Sequence, residues 1–136
     1  VTLFARRAAR MPSGMPTTIA SSMARPPKSV SAVTAVSGSG PAYVFLLAEA
    51  MLGAAMAEGL PADAANTLVL QTILGAARML TEAGDAPAEL RRRVTSAGGT
   101  THAAMEAFEA GGFNALVARA IRAASDRSRQ LSADSD

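Results

Sequence analysis

The chain has 136 residues, of which 49% are hydrophobic and 4% aromatic, and it contains no cysteine. That length fits one domain with a substantial core, and the absence of thiols excludes disulfides and thiolate metal sites while matching a reducing, cytoplasmic location. The net charge of +2 is unevenly placed, because residues 1–33 hold five basic residues and no acid, whereas residues 34–136 hold eight arginines against eleven acids. A mildly acidic body with few aromatic rings excludes a nucleic-acid-binding surface there.

Residues 1–32 mix Pro, Ser, Arg and Met without helical or strand periodicity, and they read as a disordered basic leader. The leader is Arg-rich and free of acids, like a transit peptide, but it lacks the continuous apolar stretch of a secretory signal. Ser37-Gly38-Ser39-Gly40-Pro41 reads as a flexible turn, an N-cap and a first-turn proline, opening a helix that runs to Gly59. Glu49 is the sole charge between Ala42 and Ala57. Such a helix is apolar around its circumference and needs cover on most faces, yet it is too short and too interrupted for a membrane span.

Leu60-Pro61-Ala62-Asp63 opens a second helix that Gly84 closes, and its Leu68, Leu70, Ile73, Leu74, Ala77 and Leu80 form one broad face expected to be buried. Asp85-Ala86-Pro87 starts a short third helix through Val94, with Arg91-Arg92-Arg93 on a solvated face. The fourth runs from Gly99 or Thr100 to Ala110, where Gly111-Gly112 ends it. The fifth runs from Phe113 to Leu131 with Leu116, Val117, Ala120, Ile121 and Ala124 inward, followed by a frayed tail over 133–136. Met51, Met56, Met79 and Met105 read as core filling. The fold class is therefore all-α, about five helices, and the uncovered apolar surface predicts a homodimer built on the first, second and fifth helices.

Val94-Thr95-Ser96-Ala97-Gly98-Gly99-Thr100-Thr101 joins hydroxyls to a Gly-Gly pair where a helix starts. Glycines let a ligand approach the backbone, and a helix start presents unpaired N–H groups with the positive end of the dipole, so the segment suits a carboxylate or phosphate. The same residues also suit an ordinary loop whose Thr and Ser hydroxyls cap the helix. Other motifs carry less. Ser37-Gly38-Ser39-Gly40 fails the dinucleotide fingerprint because Tyr43 stands where the third glycine belongs. His102 is the sole histidine, so no metal site of several histidines can be assembled, and a lone His in a helix's first turns reads as structural or exposed. Glu49 and Glu58 have no second acid at catalytic spacing.

The order of motifs is more specific than any one of them. Ser37-Gly38-Ser39-Gly40-Pro41-Ala42-Tyr43, Gly59-Leu60-Pro61, Gln71-Thr72-Ile73-Leu74-Gly75-Ala76-Ala77, the Val94 to Thr101 segment and Gly111-Gly112-Phe113 together resemble the C-terminal domain of pyrroline-5-carboxylate reductase. The resemblance implies a dimerisation and substrate domain over 33–132, forming an interlocked helical homodimer or higher oligomer. It implies an oxidoreductase that reduces a cyclic imine to L-proline with NADPH or NADH, held by a separate Rossmann domain, so that this chain alone binds no cofactor and is inactive. It further implies that Ser96, Gly98, Gly99 and Thr100 hold the carboxylate of a small imino acid, and that the Thr101 hydroxyl lies near the imine nitrogen as the catalytic side chain. No metal, membrane or nucleic acid is expected. Ala97 stands where the family usually has proline, and His102 where a branched apolar residue is common. The alternative is a purely structural helical homodimerisation module without catalysis.

Overall fold

The computed structural model describes residues 28–133, so residues 1–27 of the leader expected over 1–32, and residues 134–136 of the tail expected over 133–136, lie outside them. Within the described residues every regular element is a helix. The elements are α1 (Lys28–Val33), a π segment (Thr34–Gly38), α2 (Gly40–Ala57), α3 (Ala62–Glu82), α4 (Pro87–Arg93), α5 (Thr100–Ala110) and α6 (Phe113–Ala133). The five expected helices are present as α2 to α6. Each of their four connections turns on one glycine in the left-handed region: Gly59, Gly84, Gly98 or Gly112.

The first helix differs from expectation at its start. Among the described residues the helical structure is already present at Lys28, inside the segment read as leader, and passes through Ser37-Gly38-Ser39-Gly40 without a turn. The physical reason is Pro41. Inside a helix a proline has no N–H for the carbonyl four residues back, and its ring collides with that carbonyl, here of Ser37. Widening the preceding turn relieves the collision, so Ser39 N–H donates to the Thr34 carbonyl at 2.9 Å, a five-residue step. The Tyr43 hydroxyl then reaches back from α2 and donates to the Ala35 carbonyl at 2.9 Å. Ser39 stands at the N-cap position of α2 with helical backbone angles, and no side chain caps the helix there.

Counted from Val30 to Ala57 the helix is 28 residues long with a mean hydropathy of 1.4, long and apolar enough by length and composition to cross a membrane. The shorter span from Pro41 had argued against that property. Burial within one protomer is slight. Among the described residues only Ala35, Ala65, Val69 and Leu90 form a buried apolar core, and α2 has no buried residue. The broad face of α3 and the first turns of α6, both expected to be inward, are exposed, Leu68 being 54% and Leu116 53% accessible, and on α2 Phe45 is 64% accessible. Met56 and Met79 are likewise on the surface. The helical periodicity is present, but α2 packs chiefly on α3, with a smaller contact to the π segment, and α6 chiefly on α1 and the π segment, so one protomer has no second layer to cover these faces.

Candidate functional site

The segment between α4 and α5 is shaped by its own backbone. α4 ends at Arg93, where the Thr95 hydroxyl donates to the Arg91 carbonyl at 2.8 Å and the Thr95 N–H to the Arg92 carbonyl at 3.2 Å. The chain then reverses over Ser96-Ala97-Gly98-Gly99, closed by the Gly99 N–H donating to the Ser96 carbonyl at 3.1 Å. Gly98 sits third in this turn at φ +69°, a value that a side chain makes costly. A Cβ on Gly99 would stand 2.5 Å from the Ser96 hydroxyl oxygen and 3.2 Å from its carbonyl oxygen. Both glycines are therefore demanded by the turn, for different reasons.

Gly99 is the N-cap of α5, in extended conformation, and no side chain caps the helix. The hydroxyl caps expected from Thr and Ser are absent, because the turn places Gly99 rather than a hydroxyl residue at the cap. The first intrahelical bond runs from Ala103 N–H to the Gly99 carbonyl at 3.2 Å. The helix itself thus offers no acceptor to the N–H groups of Thr100, Thr101 and His102, which lie at the positive end of its dipole. Gly99 and Thr101 are half-buried, while Ser96, Gly98 and Thr100 are exposed. The five residues expected to bind and turn over the substrate are brought together on this one turn and helix start.

They do not line the main cavity among the described residues. A cavity of about 760 Å³ opens between Leu47 and Met51 of α2 and Met105, Phe108 and Phe113 of the α5–α6 hairpin, with Arg91 at its wall. Phe108 and Phe113 meet edge to face, their ring centroids 5.2 Å apart. The arginine run divides. Arg92 and Arg93 bond Glu89 at 2.7 and 3.1 Å, and Arg93 also bonds Asp85 at 2.8 Å. Arg91 belongs to none of these pairs and faces both the cavity and the adjoining groove between α4 and α5. The sequence shows three adjacent arginines and no sign of this division, which depends on where Asp85 and Glu89 fall around α4.

The Arg92 guanidinium holds the Glu89 carboxyl below its usual range, with desolvation opposing and Arg93 acting in the same sense as Arg92. His102 lies 3.7 Å from Glu106 one turn along α5, both exposed. Among the described residues no group of His, Asp and Glu has the clustering a metal ion needs. Gly38 and Gly40 lie within a helical run and not at a strand-to-helix turn, so they form no dinucleotide cradle.

Residues 27–131 match the family model for pyrroline-5-carboxylate reductase dimerisation. The chain is 58% identical over 102 residues to the pyrroline-5-carboxylate reductase of Pseudomonas aeruginosa, covering 75% of this chain and 37% of that protein. It is 50% identical over 101 residues to the enzyme of Pisum sativum, covering 74% and 37%. Among solved structures, the Coxiella burnetii pyrroline-5-carboxylate reductase superposes with a TM-score of 0.76 at 42% identity, covering 79% of this chain and 40% of that one. The Plasmodium falciparum pyrroline carboxylate reductase, solved with NADP bound, gives 0.75 at 33%, covering 79% and 41%. The chain spans about two fifths of the length of these relatives. By fold and by sequence, it belongs to the pyrroline-5-carboxylate reductase family through that family's dimerisation domain.

Proposed function

We propose that this chain is the dimerisation and substrate-binding part of an NAD(P)H-dependent pyrroline-5-carboxylate reductase, acting in the last step of L-proline biosynthesis, and that alone it does not reduce the imine. The observation that carries the reading is the Ser96–Gly99 turn, which opens straight into the uncapped start of α5. In this reading the backbone N–H groups around Gly98, Gly99 and Thr100, with the Ser96 hydroxyl, hold the carboxylate of a small cyclic imino acid. The Thr101 hydroxyl orients the imine nitrogen. A threonine hydroxyl is too weak an acid to ionise usefully, so Thr101 relays a hydrogen bond and is not a strong proton donor.

The nicotinamide cofactor supplies the hydride when bound, while these residues supply position and charge stabilisation. Gly38 and Gly40, set in a helical run, form no dinucleotide cradle, and the proposed inactivity rests on that motif. The uncovered faces of α2, α3 and α6 support a homodimer, in which a second copy fills the cavity beside Met105 and Phe108. Purified chain is expected to show no NADPH-dependent imine reduction above background, and a clear rate overturns that part. Titration with L-proline, followed at the Thr101 amide by NMR, is expected to saturate.

A purely structural dimerisation module is the second reading, favoured by the position of the five candidate residues outside the walls of the 760 Å³ cavity. Flat proline titrations on a well-formed dimer select it. A monomer by light scattering at micromolar concentration removes both.

A further inference from the structure

Packing sorts the helices into two groups. In one, α6 lies against α1 and the π segment and joins α5 through their hairpin; in the other, α2 lies against α3, and α3 meets α4. The chain crosses between the groups twice, once along the π segment into α2 and once along the loop from α4 into α5. The 760 Å³ cavity lies between them, walled by Leu47, Met51 and Arg91 from one group and by Met105, Phe108 and Phe113 from the other.

The first crossing has the construction of a joint. Its backbone bonding is the wide five-residue step from Ser39 to Thr34, forced by Pro41, and a π step is less favourable than the α pattern on either side. Ala35 is fully buried in the first group, and the Tyr43 hydroxyl of α2 bonds its carbonyl across the joint. That side-chain bond is independent of the helical ladder and ties one group to the other. Because both crossings link the same two bodies, a swing at the first must be taken up at the second, where Gly98 provides the softest backbone.

We infer that the π segment is a joint between the two helix groups, latched by the Tyr43 hydroxyl, whose setting governs the conformation of the Ser96–Gly99 turn. The test is amide hydrogen exchange on the intact chain, and it needs no substrate, so its outcome is separate from that of the carboxylate assignment. Tyr43→Phe keeps the ring and removes the latch. It is expected to speed exchange about threefold to tenfold at Val36 to Gly40 and also at Thr95 to Thr101, with α3 and the α5–α6 hairpin unchanged. Acceleration confined to Val36 to Gly40 reduces Tyr43 to a local bond and overturns the joint, as does uniform or absent acceleration. Pro41→Ala tests it from the opposite side with the tyrosine intact. By restoring an N–H and removing the ring collision it is expected to slow exchange at both crossings, and unchanged exchange there overturns the inference.

Discussion

Two Ser/Gly segments of this chain have similar composition and fold in opposite ways. Ser37-Gly38-Ser39-Gly40 is absorbed into a helix, its glycines away from the left-handed region, with open space around Gly40 and only ordinary contact with Thr34 around Gly38. Ser96-Ala97-Gly98-Gly99 breaks the helix, with Gly98 at φ +69° and no room for a Cβ on Gly99. In the first the outcome is set by residues outside the segment: Pro41 and Tyr43 downstream, and α6 packed against it. In the second it is set by the backbone of the segment itself. Glycine content therefore marks where a chain can depart from regular structure, and neighbours decide whether it does.

Substitution distinguishes the two segments most sharply at Gly98. Gly98→Val places a β-branched side chain in the left-handed region and is expected to cost about 1–3 kcal/mol of stability, measured by urea unfolding, with loss of proline binding at the Thr101 amide. A neutral result would mean the turn is no more constrained than the first segment. Gly38→Ala is expected to act with the opposite sign, raising stability by about 0.5–1 kcal/mol, since the position is helical and a Cβ meets only Thr34 at 3.6 Å. Destabilisation there would show that the π segment needs its glycine.

Ala97→Pro sharpens the comparison within the second segment. Ala97 occupies the second position of the turn, where proline presets the backbone, so the substitution is expected to raise stability by about 0.4–1 kcal/mol. A fall in the unfolding midpoint would contradict the turn geometry. The smallest effect concerns the ion pair that leads into this segment. Because Arg92 lowers the folded-state value of Glu89 below 4.5, the pair's contribution is present above that value and is lost as pH falls through the folded one. Glu89→Gln should therefore flatten the acid side of the midpoint-against-pH curve below about pH 4.5, leaving pH 7–8 behaviour parallel to the parent. An unaltered acid limb would assign the acid sensitivity to other carboxylates.

Much of this architecture is legible in the sequence. Pro61, Gly84, Pro87 and Gly111-Gly112 punctuate the chain where helices begin and end, and the Gly98-Gly99 pair marks a backbone that a side chain would spoil. The illegible parts depend on distant groups. The run from Ser37 to Pro41 carries every local sign of a break, and its continuation as helix back to Lys28 rests on a widened turn, on Tyr43 and on the return of α6. The apolar faces of α3 and α6 are visible in the spacing of Leu68, Leu74, Leu116 and Val117. Their cover is not, because periodicity says that a face needs cover without saying which chain supplies it. The division of labour among Arg91, Arg92 and Arg93 is hidden for a related reason, since adjacent residues on a short helix point in different directions.

The bare α2 helix bears on how this protein comes to be folded at all. On the proposed dimer, the four buried apolar side chains among the described residues cannot hold a protomer together, so most of its core is contributed by the other copy. Folding and association then form a single bimolecular equilibrium, and the unfolding midpoint climbs with total protein concentration. Dilution alone becomes a denaturant.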